Sequence, residues 1–332
     1  MITIHAATST HVGAGMERRC ASTACLKGTE VFTLLKWNRG HTAATENVLN
    51  TNDHEFLMNN KIAVILPVYK KDKAEYLSKA VESVLNQTYK DIHLFIGVDG
   101  PIGDSLKGFL ELLERQNMVS IEWFPKNRGL ACVLNDLLVI CFKEGYEYIA
   151  RMDADDVSMK DRLEKQMAYL GEHPEIDVVG GAIDEIDENG NSRNKTIVYP
   201  ETPEACRVFF AKRNPHAHPA VLFRKSFFDK LKGKKYRPEY RQNQDTMLWY
   251  DGMMAGTQHA NIPDVVLRFR MTDSLFKKRR NGWAFAKKQF TDRLMINRGL
   301  HYGLMADFYG FAMFCLLVSP AWVKKIAYRV LR

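Results

Sequence analysis

The sequence predicts an α/β protein whose core is a largely parallel sheet with helices on both faces. Three observations carry that expectation. Ile62-Ala63-Val64-Ile65-Leu66-Pro67 is an unbroken apolar run, the pattern of a parallel strand covered on both sides. From there strand-like and helix-like segments alternate for about a hundred residues, which implies βαβ units wound into one sheet. The strand pattern of 145–150 then runs into Arg151-Met152-Asp153-Ala154-Asp155-Asp156, so three carboxylates sit at a strand's carboxyl end, where ligands bind in an open α/β sheet.

The elements follow in order. After the first strand, Leu77, Ala80, Val81, Val84 and Leu85 recur at helical spacing. A strand over 93–98 ends in the turn Asp99-Gly100-Pro101. A helix over 106–113 and a strand over 119–124 lead to Asn127-Arg128-Gly129. A further helix carries Leu130, Leu134, Leu137, Leu138 and Cys141. Beyond the carboxylates come a helix over 160–171, on whose surface Arg162 is expected, and a buried strand over 177–181. A strand over 216–224 is entered by His216 and His218, and a helix over 246–255 opens beside Asp245.

The chain has 332 residues, enough for one large domain or two small ones. Its net charge of +8 is uneven. Residues 274–332 hold 12 Lys/Arg against Asp292 and Asp307, a net +10, so the preceding residues carry −2. Six cysteines without C-x-x-C spacing argue against a zinc site or a disulfide framework and fit a reducing, cytoplasmic compartment. The opening residues lack the layout of a secretory leader. Residues 1–60, rich in Thr, Ala, His and Asn without a sustained period, read as a poorly ordered extension.

The acidic cluster has a definite chemistry. Crowded carboxylates repel one another unless a cation compensates, and hard oxygen donors take Mg²⁺ or Mn²⁺. No G-x-G-x-x-G follows the first strand and no G-x-x-x-x-G-K-[ST] occurs, which excludes dinucleotide-binding and P-loop enzymes. Instead the strand ends in Pro67-Val68-Tyr69-Lys70, whose tyrosine offers a flat face and a hydroxyl.

Taken together, Val64 to Tyr69, Ala80 to Tyr89, Val98-Asp99-Gly100, Asn127 to Ala131, Arg151 to Asp156 and Gln244-Asp245 with Leu248-Trp249 resemble the family 2 glycosyltransferases. The likeness covers 61–270. It implies a GT-A fold, a Rossmann-like mixed sheet, with a donor half over 61–158 and an acceptor half over 159–272. It also implies an inverting, metal-dependent enzyme that moves a sugar from a nucleoside diphosphate, UDP expected, to a glycan or polyprenyl-linked acceptor in surface-polysaccharide assembly. The resemblance puts Pro67, Tyr69, Asp99, Asn127, Asp153 and Asp155 on the nucleotide sugar, and Asp155 and Asp156 on the metal. It makes Asp245 the catalytic base, with His218 and Trp249 on the acceptor side. The family's usual Glu-Asp pair is Gln244-Asp245 here, which leaves Asp245 as its one carboxylate. Two other readings compete: a sugar-nucleotidyltransferase, which would want a glycine-rich phosphate loop, and a catalytically silent sugar-binding protein, against which the retained aspartates speak.

The C-terminal segment, 273–332, is expected to form a basic helical tail. Phe308 to Val318 is apolar but too short to span a bilayer, and Ala321 to Arg332 mixes aromatic and aliphatic residues with Lys324, Lys325, Arg329 and Arg332. That composition fits an amphipathic helix at an anionic membrane surface, hence a peripheral location on the inner face of the cell membrane. No nucleic-acid-binding motif is present.

Overall fold

The computed structural model describes residues 60–272 and 283–319. The expected extension over 1–59 and the expected amphipathic helix over 321–332 lie outside the described residues.

Strands β1 (Ile62–Val68), β2 (Ile92–Asp99), β3 (Val119–Phe124) and β4 (Tyr148–Arg151) form the parallel half of a nine-stranded sheet. β1 pairs in parallel with both β2 and β4, so the strand order is 3-2-1-4. The chain winds outward to one side of β1 and then crosses to the other, and the crevice at such a reversal is where α/β sheets bind ligands. Because side chains alternate along a strand, β1 feeds two cores. Ile62, Val64, Leu66 and Val68 pack on helices α1 (Ala74–Leu85) and α2 (Asp104–Leu113). Ala63 and Ile65 face α3 (Leu130–Lys143) on the opposite side. This two-sided burial is why the run is continuously apolar.

The second half of the sheet is mixed. After the carboxylates come the short β5 (Val157–Ser158), α4 (Arg162–Glu172), β6 (Val178–Ile186), β7 (Ser192–Ile197) and α5 (Pro203–Phe210). A 3₁₀ turn over His218–Ala220, β8 (Leu222–Arg224), α6 (Lys225–Lys230), α7 (Gln244–Met254) and β9 (His259–Arg270) complete it. The order continues from β4 through β8, β6 and β9 to β5, with β7 on the side of β6. β8 runs antiparallel to β4, and β9 runs parallel to β6.

Two expectations change here. The strand expected over 216–224 contracts to three residues, because Pro219 has no N–H to give a ladder and Ala220 closes a tight turn onto the Ala217 carbonyl at 2.9 Å. The twelve-residue β9 gave no readable strand pattern because Pro263-Asp264 interrupts it. Both lie where the β6–β9 register shifts, the irregularity at which a sheet accommodates proline.

The tail is helical where it is described. α8 (Trp283–Gly299) returns to the domain through Ile296, and Leu300 beyond its end joins the same core. α9 (Leu304–Val318) folds back against α8.

Candidate active site

The carboxyl ends of β1, β2 and β4, with the loop that follows β3, converge on one edge of the sheet. Pro67 lies in β1 opposite Gly97 of β2, and Tyr69 follows the strand with its N–H donating to Asp72 Oδ2 at 2.8 Å. Both are half-buried. Asp99 ends β2. Its Oδ1 accepts the Arg128 N–H at 2.7 Å and its Oδ2 the Gly129 N–H at 2.9 Å, while Asn127 Nδ2 donates to the Asp99 carbonyl at 3.1 Å. Both Asp99 oxygens thus fix the loop that opens α3. Asn127 itself is exposed on that loop. Gly100 sits at φ +83°, and a Cβ there would lie 2.5 Å from the Asn127 nitrogen, so glycine is required for the two loops to touch.

Asp153, Asp155 and Asp156 form the acidic centre, with one ligand atom of each lying within 4.8 Å of the others. It is the one such donor group among the described residues. Burial, then the neighbouring Asp153, pushes the Asp155 carboxyl up to about 6. Asp156 is fully buried and raised further by burial, Asp155 and Asp153. Its Oδ1 accepts the Arg270 N–H at 2.8 Å, and its buried Oδ2 has no hydrogen-bond partner. An unpaired buried carboxylate oxygen is costly, and a divalent cation relieves both the desolvation and the mutual repulsion. The donor set fits Mg²⁺ or Mn²⁺.

Cations brace this cluster from inside the protein. Arg151, 2% exposed, reaches Asp153 Oδ1 with Nη2 at 2.5 Å. Arg270 Nε donates to the Asp155 carbonyl at 2.7 Å, and its Nη1 to the carbonyls of Asp187 and Glu188, both at 3.0 Å. Its guanidinium stacks 4.3 Å from the Tyr76 ring centroid. Arg270 therefore ties the acidic loop to the β6–β7 hairpin and to α1. Arg162, expected on a helix surface, is fully buried instead. It donates to the carbonyls of Arg151 at 3.0 Å and Val221 at 3.1 Å, and burial together with Arg151 lowers it to about 9. It faces inward to cap the Arg151 and Val221 carbonyls where β4 ends beside β8, the Val221 carbonyl also accepting the Arg151 N–H at 3.0 Å.

Asp245 lies in the first turn of α7, where aligned N–H groups favour negative charge. Its Oδ2 accepts from Asn214 Nδ2 at 2.9 Å, and Asn214 Oδ1 in turn accepts the Thr246 hydroxyl at 3.0 Å. Tyr236 connects this side to the acidic centre. Burial raises its phenol, Arg151 opposes that shift, and the charges of Asp245 and Asp153 add to it, so both acids act on one hydroxyl. Tyr236 stays protonated and sits 2.7 Å from His218 Nε2. Burial, then Arg151 and His216, keeps His218 neutral. Tyr236 therefore donates and His218 Nε2 accepts.

His218 is 8% exposed, behind the open surface of the site. Trp249, expected on the acceptor side, is fully buried, packed on Phe223, Phe227 and His218. It supports His218 from the core. His216 is committed elsewhere. Asn261 Nδ2 donates to the carbonyls of Pro200 and Pro215, which leaves Asn261 Oδ1 to accept from His216 Nδ1 at 2.9 Å. His216 Nε2 then accepts from His259 Nδ1 at 3.0 Å, and His259 Nε2 from the Thr257 hydroxyl at 2.9 Å. Both His216 nitrogens are used, so it is no metal ligand. Gly180 is needed for this relay, since a Cβ there would lie 2.1 Å from Asn261 Oδ1.

Sequence reasoning missed Tyr236 and Arg270. Tyr236 lies in an irregular loop with no period, and Arg270 ends a strand whose pattern was broken. Two cavities, of about 580 and 410 Å³, lie beside α7–α8 and behind β5, and neither is lined by the three aspartates or Asp245.

Residues 63–231 match the model of the family described as glycosyl transferase family 2. The chain is 33% identical over 227 residues to the amylovoran biosynthesis glycosyltransferase AmsE of Erwinia amylovora, covering 68% of this chain and 82% of that protein. It is 25% identical over 219 residues to an Escherichia coli UDP-Gal:alpha-D-GlcNAc-diphosphoundecaprenol beta-1,3-galactosyltransferase, covering 66% and 77%. Among solved structures, S. aureus TarS 1-349 in complex with UDP-GlcNAc superposes with a TM-score of 0.56 at 14% identity, over 81% of this chain and 73% of that one. Against the longer TarS chain the coverage is 42%. The TarS likeness fixes the fold as GT-A, and the sequence likeness fixes the family: this chain belongs to glycosyl transferase family 2 and is a glycosyltransferase.

Proposed function

We propose that the enzyme transfers a sugar, with inversion at the anomeric carbon, from a UDP-sugar to a glycan or polyprenyl-linked acceptor during surface-polysaccharide assembly on the inner face of the cell membrane. The observation that carries this reading is the acidic centre at the end of β4, where one oxygen of each of Asp153, Asp155 and Asp156 lies within 4.8 Å of the others and Asp156 Oδ2 is buried without a partner; Asp245 adds a single carboxylate at the start of α7. One group of acids suits a cation and a diphosphate; a single acid suits a base.

Within this reading the nucleotide lies over the β1–β4 crevice, against Pro67 and Tyr69 and the loop that Asp99 and Asn127 hold. Asp153, steadied by Arg151, faces the ribose, and Asp155 and Asp156 would hold a divalent cation, which would supply positive charge to offset that developing on the departing diphosphate. Asp245 takes the proton from the acceptor hydroxyl as that oxygen attacks the anomeric carbon opposite the leaving group, and this opposed geometry produces inversion. Asn214 helps to orient the Asp245 carboxylate. His218 and Tyr236 act as neutral hydrogen-bonding groups on the acceptor side, because burial keeps both uncharged.

The similar proteins support the donor and acceptor classes: a UDP-Gal donor and a diphosphoundecaprenol acceptor for the Escherichia coli relative, and a bound UDP-GlcNAc in the TarS structure. The test is a screen of UDP-sugars with Mg²⁺ or Mn²⁺ against lipid-linked acceptors, scoring UDP release and product configuration. Cation-dependent release with an inverted product is expected. Release unaffected by chelator, or a retained configuration, would overturn the mechanism.

A further inference from the structure

α9 is turned inside out relative to an ordinary surface helix. Its exposed residues recur at helical spacing and are all apolar: Leu304, Met305, Phe308, Phe311, Ala312, Cys315 and Val318. Leu304 and Met305 are 77% and 79% exposed, Phe308 65% and Phe311 53%. Asp307, its one charged residue, points inward and accepts from Asn297 Nδ2 of α8 at 2.8 Å. A surface helix normally shows the opposite arrangement. Trp283, 65% exposed, adds an aromatic ring at the start of α8, where it meets Phe314 of α9 at 5.2 Å between ring centroids. A continuous hydrocarbon stripe of this kind marks a contact surface.

The stripe extends about 20 Å at 1.5 Å per residue, less than the roughly 30 Å of a bilayer's hydrocarbon core. Among the described residues no helix is long and apolar enough to cross a membrane. The chain on either side of the hairpin supplies the complementary charge: Lys277-Lys278-Arg279-Arg280 precede Trp283, and Lys324, Lys325, Arg329 and Arg332 follow Val318. Basic residues flanking an apolar helical face are the chemistry of an anionic lipid surface.

We infer that the Leu304–Val318 face of α9 is the membrane-contacting surface, lying in the plane of an anionic leaflet with Phe308 and Phe311 as its deepest anchors. The inference rests on the membrane location proposed above and assigns it to one helix face. It gives the enzyme a fixed orientation on the surface that presents a lipid-linked acceptor.

The test is flotation of the full chain with vesicles of phosphatidylcholine alone and of phosphatidylcholine with phosphatidylglycerol, for the parent and Phe308→Ser/Phe311→Ser. Thermal melting checks that the variant is folded, and UDP release in detergent checks that its chemistry is intact. The parent floats with the anionic vesicles, and the variant's affinity falls at least about tenfold, since each ring withdraws substantial apolar area from the interface. Equal flotation of parent and variant would overturn the inference, as would failure of the parent to bind either vesicle. A parent that dimerises without lipid, through contacts that the double substitution abolishes, would show a second copy covering the face and would also overturn it. Lipid binding lost in the variant while neither protein releases UDP would leave the face standing and remove the proposed reaction.

Discussion

The acidic centre and α9 both break the usual partition of polar groups outside and apolar groups inside, in opposite senses. At the centre Arg151, Arg162, Arg270 and Asp156 are each at most 2% exposed, while on α9 Leu304, Met305 and Phe308 are each more than 60% exposed. Buried charge is tolerated when it is paired or hydrogen-bonded, and here Arg151 pairs with Asp153 while Arg162 and Arg270 bond backbone carbonyls around the loop that carries the clustered carboxylates. Exposed hydrocarbon costs little in the folded monomer, because the unfolded chain exposes it too. The first departure should therefore respond to mutation through stability and chemistry together, and the second through binding alone.

The largest effect is expected at the cation ligands. Asp155→Ala should abolish cation-dependent donor binding by calorimetry and lower turnover more than about 100-fold, beyond the range typical of outer-shell partners. Retained cation-dependent binding would contradict the assignment. Next comes Arg151→Met, which leaves the 31% exposed Asp153 without its partner and should cost about 1–3 kcal/mol in urea unfolding, the range for a lost hydrogen bond to a charged group. A loss below about 1 kcal/mol would mean that the pair is solvated and that the contrast with α9 is overstated.

Tyr236→Phe removes the hydroxyl that His218 accepts and should cost about 1 kcal/mol of stability, with a several-fold fall in kcat. Unchanged kcat would reduce Tyr236 to packing. The pH dependence is smaller still and has a definite sign. Asp155 and Asp156 hold their protons more tightly folded than unfolded. The Asp155 contribution to the cation-free protein is therefore complete below about 3.8 and is lost as pH rises through about 6, and that of Asp156 has the same sign. A cation competes with those protons, so the rise in Tm on adding Mg²⁺ should be greater at pH 7.5 than at pH 5. An equal rise at both values would place the cation elsewhere. Smallest of all, Phe308→Ser in lipid-free solution should change stability by less than about 0.5 kcal/mol, as ordinary surface substitutions do.

Legibility in the sequence followed the same divide. β1 to β4, their helices and the acidic cluster were readable because each is a local pattern: an apolar run, a helical spacing, carboxylates after a strand. β9 and β5 were not, because a proline-broken strand and a two-residue strand acquire their structure only by pairing with distant partners. The same holds within the site. Asp153, Asp155, Asp156 and Asp245 stood in motifs, whereas Tyr236 and Arg270 matter through contacts with residues far away in the chain. Arg162 and Trp249 showed the limit from the other side, since helical spacing alone did not reveal that their faces turn into the core. The apolar run over 308–318 was visible, but which of its residues face outward depends on how α9 packs against α8.

In the proposed reaction a cation-binding acidic cluster and a separate base serve one transfer. Its most direct test is Asp245→Asn, compared with the parent for UDP-sugar affinity in Mn²⁺ and for single-turnover transfer. The account predicts unchanged, cation-dependent donor affinity and a fall in transfer rate of about 10²–10⁴-fold, the range of general-base catalysis. Transfer at the parent rate would show that Asp245 is not the base.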